Sequence, residues 1–499
     1  MPNHSTKFKI KDMDITSGSP LVAIINKRDA ERLDLHPLDR IKIKKGSKIE
    51  TVVIDIAESK KSVKPGYIGV FEEVIKSLSL KSSDKVSIIL ARKPLSLEFI
   101  KNKLDGKKLN GKEIDQIVWD IVHNKLSDVE LTYFVSACYT NVMDFDETIM
   151  LTKSIAKNGT TLNLKKHPII DKHSIGGVPG NRTTMIIVPI IAAAGLYIPK
   201  TSSRSITSPS GTADTMEVLA DVSFSIEKMR KIVYKTKGCI VWGGALNLAP
   251  ADDKIIKVER PLSIDAESQL LASIMAKKLS VGSTHILIDI PAGNDTKVKN
   301  ITEALKLKRD FEKIGKRLKR NIKVLITNGR QPVGNGIGPA LEARDVLWVL
   351  KRDPRRPLDL EKKCIMMCSN IFKMVGIEDG YKKADDILDS GKAYQKMVDI
   401  IKAQGGKKFI AKDIKIGKYA SDILSKNSGK VIDIDNILIS RIARICGAPS
   451  DKGAGIYLYK HIGDSVKKGE KLFTVYAESK QKLEYAKEDI NSSKIVIVK

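Results

Sequence analysis

The chain has 499 residues, room for two to four domains, and its 42% hydrophobic content is that of an ordinary globular protein. No apolar run approaches the roughly 20 residues that a bilayer-spanning helix needs, and five cysteines without paired spacing exclude a disulfide scaffold. The formal charge of +28 is spread among Asp and Glu, and aromatics at 5% leave few stacking platforms, so it reads as an attraction for small anions and not as a nucleic-acid surface.

The opening MPNHSTKFKIKD lacks an apolar leader, which with the cysteine usage gives an expectation of cytoplasmic residence. Residues 1–92 alternate short β-like runs (LVAII, RIKIKK, ETVVIDIA, VSIILAR) with turns, predicting a β-rich N-terminal domain with an assembly role. Residues 93–164 predict a helical bundle. Ser96, Asn110 with Glu113, Ser127 with Glu130, and Asp144 with Glu147 each head an apolar periodic stretch.

From 165 to 427 the pattern alternates strands (PIID, YIPK, CIVWGG, THILIDIP, IKVLITN) with helices predicted over 182–194 and 213–220, the first either kinked at Pro189 or carrying it near its N-terminal portion. This predicts a central mixed α/β sheet domain. Within it, IDAESQLLASIMAKKLSVG reads as a strongly amphipathic helix, and residues 251–281 are expected to rejoin the bundle. Cys364 and Cys368 share a helix face and read as core thiols. Residues 428–499 predict a small α+β, barrel-like C-terminal domain. Its GDxVKKGE hairpin has no lone tip lysine flanked by acids, so no lipoylation site is expected.

The chemistry concentrates in two stretches. His173–Asn181, HSIGGVPGN, reads as a glycine turn between strand and helix, where backbone N–H groups and the helix dipole favour an anion. Gly176, Gly177 and Gly180 admit close approach, and Lys172 and Ser174 add a charge and a hydroxyl. The spacing matches neither a Walker loop nor a dinucleotide fingerprint. About thirty residues on, Arg204 lies among Ser202, Ser203, Ser205, Thr207, Ser208 and Ser210, ending in a capping Thr212. Hydroxyls and a guanidinium are the donors assembled around phosphate oxygens. Successive strand-to-helix turns of an α/β sheet open on one edge.

KHSIGG, SSRSITSPSGTADTMEV and SIDAESQLLASIMAKKL together resemble the motifs of the thymidine phosphorylase family of nucleoside phosphorylases, over residues 93–499. Within that family the pattern is most similar to the AMP phosphorylase branch, which carries an added N-terminal domain of this length. The resemblance implies phosphorolysis of a nucleoside 5′-monophosphate (AMP, also CMP and UMP) to free base and ribose 1,5-bisphosphate. It also implies a homodimer or higher homo-oligomer.

By the same resemblance, Lys172, Ser174, Ser203 and Thr212 hold the attacking phosphate, with the Gly177 N–H lining the turn. Arg204, Ser205, Ile206, Thr207 and Ser208 grip the nucleotide. Ser273, Lys277 and Lys297 match base- or substrate-contacting positions. Asp265 matches the proton donor, while His173, with an ordinary pKa near ~6.5, is the rival; both stay open. Where the nucleoside enzymes have glycines after the signature arginine, this chain has hydroxyls at 205, 207, 208 and 210, which suits a substrate carrying its own phosphate. No Asp, His and Cys set has metal-ligand spacing, so neither metal nor cofactor is expected. The alternatives are a phosphorylase of unphosphorylated nucleosides and, in another class, a basic RNA-binding or scaffold protein.

Overall fold

Alternation of apolar and charged residues in TKFKIKD and RIKIKK sends one face of each strand inward. In the computed structural model, which describes residues 6–17, 21–82, 84–91, 93–205, 208–259, 261 and 266–499, these strands belong to a closed barrel. β1 (Thr6–Asp12), β2 (Val22–Asn26), β3 (Arg40–Lys45), β4 (Lys48–Ala57), β5 (Tyr67–Val70) and β6 (Lys85–Leu90) close in the order β1-β5-β2-β4-β3-β6. Helices α1 (Lys27–Arg32) and α2 (Glu72–Leu78) complete it. Phe8, Ile25, Ile41, Ile54 and Ile68 fill the core.

Four helices follow: α3 (Ser96–Leu104), α4 (Gly111–Val122), α5 (Asp128–Thr140) and α6 (Phe145–Lys157). Asn110, Ser127 and Asp144 each form a full capping box with the glutamate three residues on. Ser96 differs from expectation. It is the first residue inside α3, Leu95 takes the cap position, and the Ser96 hydroxyl is buried. Residues 1–159 and 249–276 form one compact unit, and residues 160–248 and 277–499 the other. In the first, α10 (Pro250–Glu259) returns to the bundle, where Lys254 Nζ donates to the Ile121 and Val122 carbonyls at 2.6 and 2.9 Å. A cation there satisfies the open carboxyl end of α4.

In the second unit the strands are β7 (Ile170–Ser174), β8 (Ile198–Ser202), β9 (Gly238–Trp242), β10 (His285–Ala292) and β11 (Asn321–Asn328). β11, β10 and β7 pair in that order, β8 pairs with β9, and an Ile169–Tyr197 bridge joins the two sets. The expected mixed sheet is corrected here: every one of these pairings is parallel. Helical crossovers separate all five strands, and a crossover returns the chain in the same direction. α7 (Thr183–Ala193) carries Pro189 and is buried nearly all round. α8 is only Thr212–Met216, shorter than the helix expected over 213–220. α9 (Ile226–Thr236) precedes β9. α11 (Glu267–Val281), which belongs to the first unit up to Ala276, was expected to be amphipathic, but none of its residues is exposed.

Helices α12 (Ile301–Arg317), α13 (Pro339–Leu350), α14 (Leu358–Met374), α15 (Gly380–Asp389) and α16 (Lys392–Ala403) complete the α/β part. Cys364 and Cys368 lie in its core, as expected. The C-terminal part packs α17 (Asn436–Ile445) and α18 (Lys480–Asn491) on two small sheets. One sheet takes β12 (Gly336–Ile337), β13 (Tyr419–Leu424), β15 (Gly455–Leu458) and β17 (Lys471–Ala477). The other takes β14 (Gly429–Ile434), β16 (Ser465–Val466) and β18 (Val496–Val498). The first sheet thus recruits strands from before residue 428, because β13 and β12 supply partners for β17 and β15.

Candidate active site

β7 carries Asp171, Lys172, His173 and Ser174 in succession, and strand alternation sends them to opposite faces. The strand runs through Ser174, so the turn expected from His173 begins at Ile175. Lys172 is therefore not a loop lysine. It is 1% exposed, and its ammonium donates to Thr183 Oγ1 at 2.6 Å. Burial pushes its pKa down to about 8, against the pull of Asp289.

On that same face Ser174 donates to Asp289 Oδ2 at 3.0 Å and accepts from the Asn181 amide at 3.3 Å. Asp289 also accepts from Thr327 at 2.6 Å and pairs with Lys363 at 3.2 Å. Burial opposes ionisation of Asp289, but Lys363 and Lys172 hold its carboxyl below the usual range. On the opposite face, buried Asp171 pairs with Lys278 at 2.8 Å and Lys200 at 3.4 Å, and Lys200 also donates to the Lys172 carbonyl at 2.6 Å. Burial and the surrounding lysines push Lys200 down to about 7. Burial, then Lys278, Lys200, Lys172 and Lys277, push His173 well below its ordinary value. The imidazole is neutral near pH 7.

The glycine turn has the backbone its sequence requires. Gly176 and Gly177 have φ of +93° and +90°. A Cβ on Gly177 would lie 2.6 Å from the Lys297 amide nitrogen, so the turn sits against the 293–298 loop at the end of β10. Lys297 itself is exposed on that loop.

The serine-rich loop leaves the end of β8. Gly211, not Thr212, is the cap position of α8, and the Asp214 carboxylate gathers the N–H groups of Gly211 and Ser205 at 2.9 and 2.7 Å. Ser205 donates to the Ser208 carbonyl, and Ser203 is exposed at the loop's start. Arg204 pairs with Glu217 and Asp214 and lies 4.9 Å from the centre of the Trp242 ring, so its guanidinium is already charge-balanced. Ile206, Thr207 and Asp265 lie outside the described residues. Ser273 and Lys277 are half-buried and four apart on one face of α11.

Arg182, at the cap position of α7, joins the two loops. Its Nη1 donates to Thr212 Oγ1 and its Nη2 to the Ser210 carbonyl, both at 3.1 Å, while Nε lies 2.8 Å from Glu342. The structure thus places Lys172 and Ser174 at the carboxyl end of β7, Gly177 in the turn that follows and Thr212 at the start of α8, the edge at which parallel sheets bind ligands. Sequence reading missed Arg182, Asp289, Lys363, Lys200, Asp171 and Glu342. Asp171, a carboxylate in the apolar run PIID, carried the one local signal. Among the described residues no group of three or more His, Cys, Asp and Glu side chains is placed to hold a metal ion, and no helix is long and apolar enough to cross a membrane.

Three family models match. The glycosyl transferase family helical bundle domain covers residues 97–159, the glycosyl transferase family a/b domain 166–309, and the pyrimidine nucleoside phosphorylase C-terminal domain 430–496. Among curated relatives, an AMP phosphorylase of Thermococcus kodakarensis is 48% identical over 96% of this chain and 95% of its own length. AMP phosphorylase 1 of Archaeoglobus fulgidus is 44% identical over 98% of this chain and 97% of its own. An AMP phosphorylase of Pyrococcus furiosus is 47% identical over 96% and 95%. The fold is that of an anthranilate phosphoribosyltransferase from Thermus thermophilus, with a TM-score of 0.52 at 16% identity, over 62% of this chain and 99% of that one. The chain belongs to the AMP phosphorylase family.

Proposed function

We propose that the protein cleaves the N-glycosidic bond of AMP with inorganic phosphate, releasing adenine and ribose 1,5-bisphosphate, and that it accepts CMP and UMP in the same way. A phosphate oxygen forms the new bond to C1′, the C1′–N bond breaks, and its electron pair leaves with the base, which takes up a proton. The ribose passes through an oxocarbenium-like centre, so the protein must position a dianion and supply a proton. Lys172, Ser174, Ser203, Thr212 and the Gly177 N–H hold the attacking phosphate. Arg204 through Ser208 take the nucleotide's own phosphate and ribose, Arg204 contributing while it shares its charge with Glu217.

Asp265 is the proton donor in this reading. His173, depleted of its proton by burial and by neighbouring lysines, is a poor acid in the ligand-free protein. Ser273, Lys277 and Lys297 complete the substrate contacts. No metal step is needed, since phosphate is itself the nucleophile. The enzyme works as a homodimer or larger homo-oligomer in the cytoplasm.

The observation that carries this reading is the Arg182 link, which ties the loop following Lys172 to the loop bearing Thr212. The test is adenine release from AMP by purified protein as phosphate is varied. Saturable, phosphate-dependent release that greatly exceeds release from adenosine supports it. Release independent of phosphate rejects phosphorolysis, and an equal rate with adenosine favours the nucleoside enzyme instead.

A further inference from the structure

Arg182 has no place in the substrate contacts above, yet it is 8% exposed and its two terminal nitrogens donate to Thr212 and to the Ser210 carbonyl. Its carboxylate partner Glu342 is 1% exposed and also accepts from Thr215 Oγ1 at 2.7 Å and from the Gly338 N–H at 3.2 Å. Glu342 is therefore a fixed anchor on α13, and the guanidinium is held from behind.

The sense of the hydrogen bonds decides what this does. A guanidinium only donates. Thr212 Oγ1 therefore accepts from Arg182, and the Thr212 proton must point away from that bond. Ser174 shows the opposite state in the ligand-free protein: its proton goes to Asp289 and its oxygen accepts from Asn181, so its hydroxyl must turn from Asp289 before it can donate to phosphate. Of these two hydroxyls, only the one on Thr212 is arranged in advance as a donor to an incoming anion.

We infer that Arg182, anchored by Glu342, is a positioning residue that presents the Thr212 hydroxyl proton to the attacking phosphate and fixes the spacing of the two loops. The inference rests on the phosphorylase reading above. A lysine cannot replace the fork, because a single ammonium cannot serve Glu342, Thr212 and Ser210 in one plane. Because Arg182 acts through Thr212, the two residues form one unit and their losses do not multiply.

The experiment compares wild type, Arg182→Lys, Thr212→Val and the double variant, measuring KM for phosphate and for AMP separately. A lost hydrogen bond to a charged group is worth about 10- to 100-fold, so each single variant raises the phosphate KM by roughly that factor while the AMP KM moves less than about threefold. The double variant falls within about threefold of Thr212→Val alone. Multiplying losses, or equal rises in both KM values, overturn the inference. Glu342→Gln is the second variant, should Arg182→Lys fail to fold: it keeps Arg182 but loosens it, and an unchanged phosphate KM counts against the anchor. Wild-type protein that releases no adenine from AMP and phosphate overturns the functional reading and this inference with it. Active wild type with multiplying losses overturns the inference alone.

Discussion

Gly176 and Gly177 are adjacent, share a left-handed backbone, and differ in what surrounds them, which makes them a controlled pair. An alanine at Gly176, φ +93°, meets nothing within 4 Å, so its cost is backbone strain alone, about 1–2 kcal/mol. An alanine at Gly177, φ +90°, carries the same strain and also drives its Cβ to 2.6 Å from the Lys297 nitrogen and 3.1 Å from Thr296 Cα. Those are backbone atoms, which cannot swing aside, and overpacking of this kind costs about 1–3 kcal/mol more. Gly177→Ala should therefore lose about 2–5 kcal/mol in all, and the difference between the two variants isolates the contact.

Urea unfolding followed by tryptophan fluorescence measures it. The chain has three tryptophans, so a Trp119→Phe background leaves Trp242 and Trp348 of the second unit as reporters. Any part of the strain relieved by pushing the turn off the 293–298 loop reappears as a lower kcat/KM for phosphate. If Gly177→Ala lies within about 0.5 kcal/mol of Gly176→Ala and binds phosphate equally well, the seating of the turn on that loop is wrong.

Three other outcomes follow from the site's charges. With Lys172 at about 8, kcat/KM for phosphate should fall as pH rises past that value, because the amine is charged below it and neutral above; a pH profile flat to about pH 10 contradicts this. Asp265→Asn should lower kcat by about 10²- to 10⁴-fold with little change in either KM, whereas His173→Asn costs less than about tenfold; steady-state rates showing the reverse order would move the proton donor to His173. Asp289→Asn leaves Lys363 and Lys172 buried against a neutral partner and should cost about 3–5 kcal/mol by urea titration. The Asp289 carboxyl is held below its ordinary value, so its stabilisation is full above about pH 4 and disappears as pH falls through the lowered value. A loss under about 1 kcal/mol would show that Asp289 is not the counter-ion of Lys172 and Lys363.

Local physics was readable in the chain and long-range physics was not. The capping boxes at Asn110, Ser127 and Asp144 formed because each satisfies its N–H groups within four residues. The glycine turn formed because its φ values admit little else. Ser96 misled because a serine in front of an apolar run has the same signature whether it caps the helix or begins it. α8 fell short of its apolar pattern because its first turn is organised by Asp214 around the loop, and tertiary contacts bury the residues that follow. The burial of Lys172 depends on Thr183 and Asp289, the latter more than a hundred residues away, and no window of sequence contains that pairing. The same holds for Arg182 with Glu342 and for Asp289 with Lys363. Motif resemblance named the candidate substrate contacts; it did not reach the buried charged groups packed around Lys172 and Thr212.

A crystal of the protein grown with AMP and phosphate, or with sulfate in phosphate's place, tests the shared pocket itself. The account predicts one anion bonded to Lys172 and the Thr212 hydroxyl, with the 5′-phosphate of AMP against the loop at 203–208 in the same cavity. Density that puts the glycine turn and the serine-rich loop on separate cavities would contradict it.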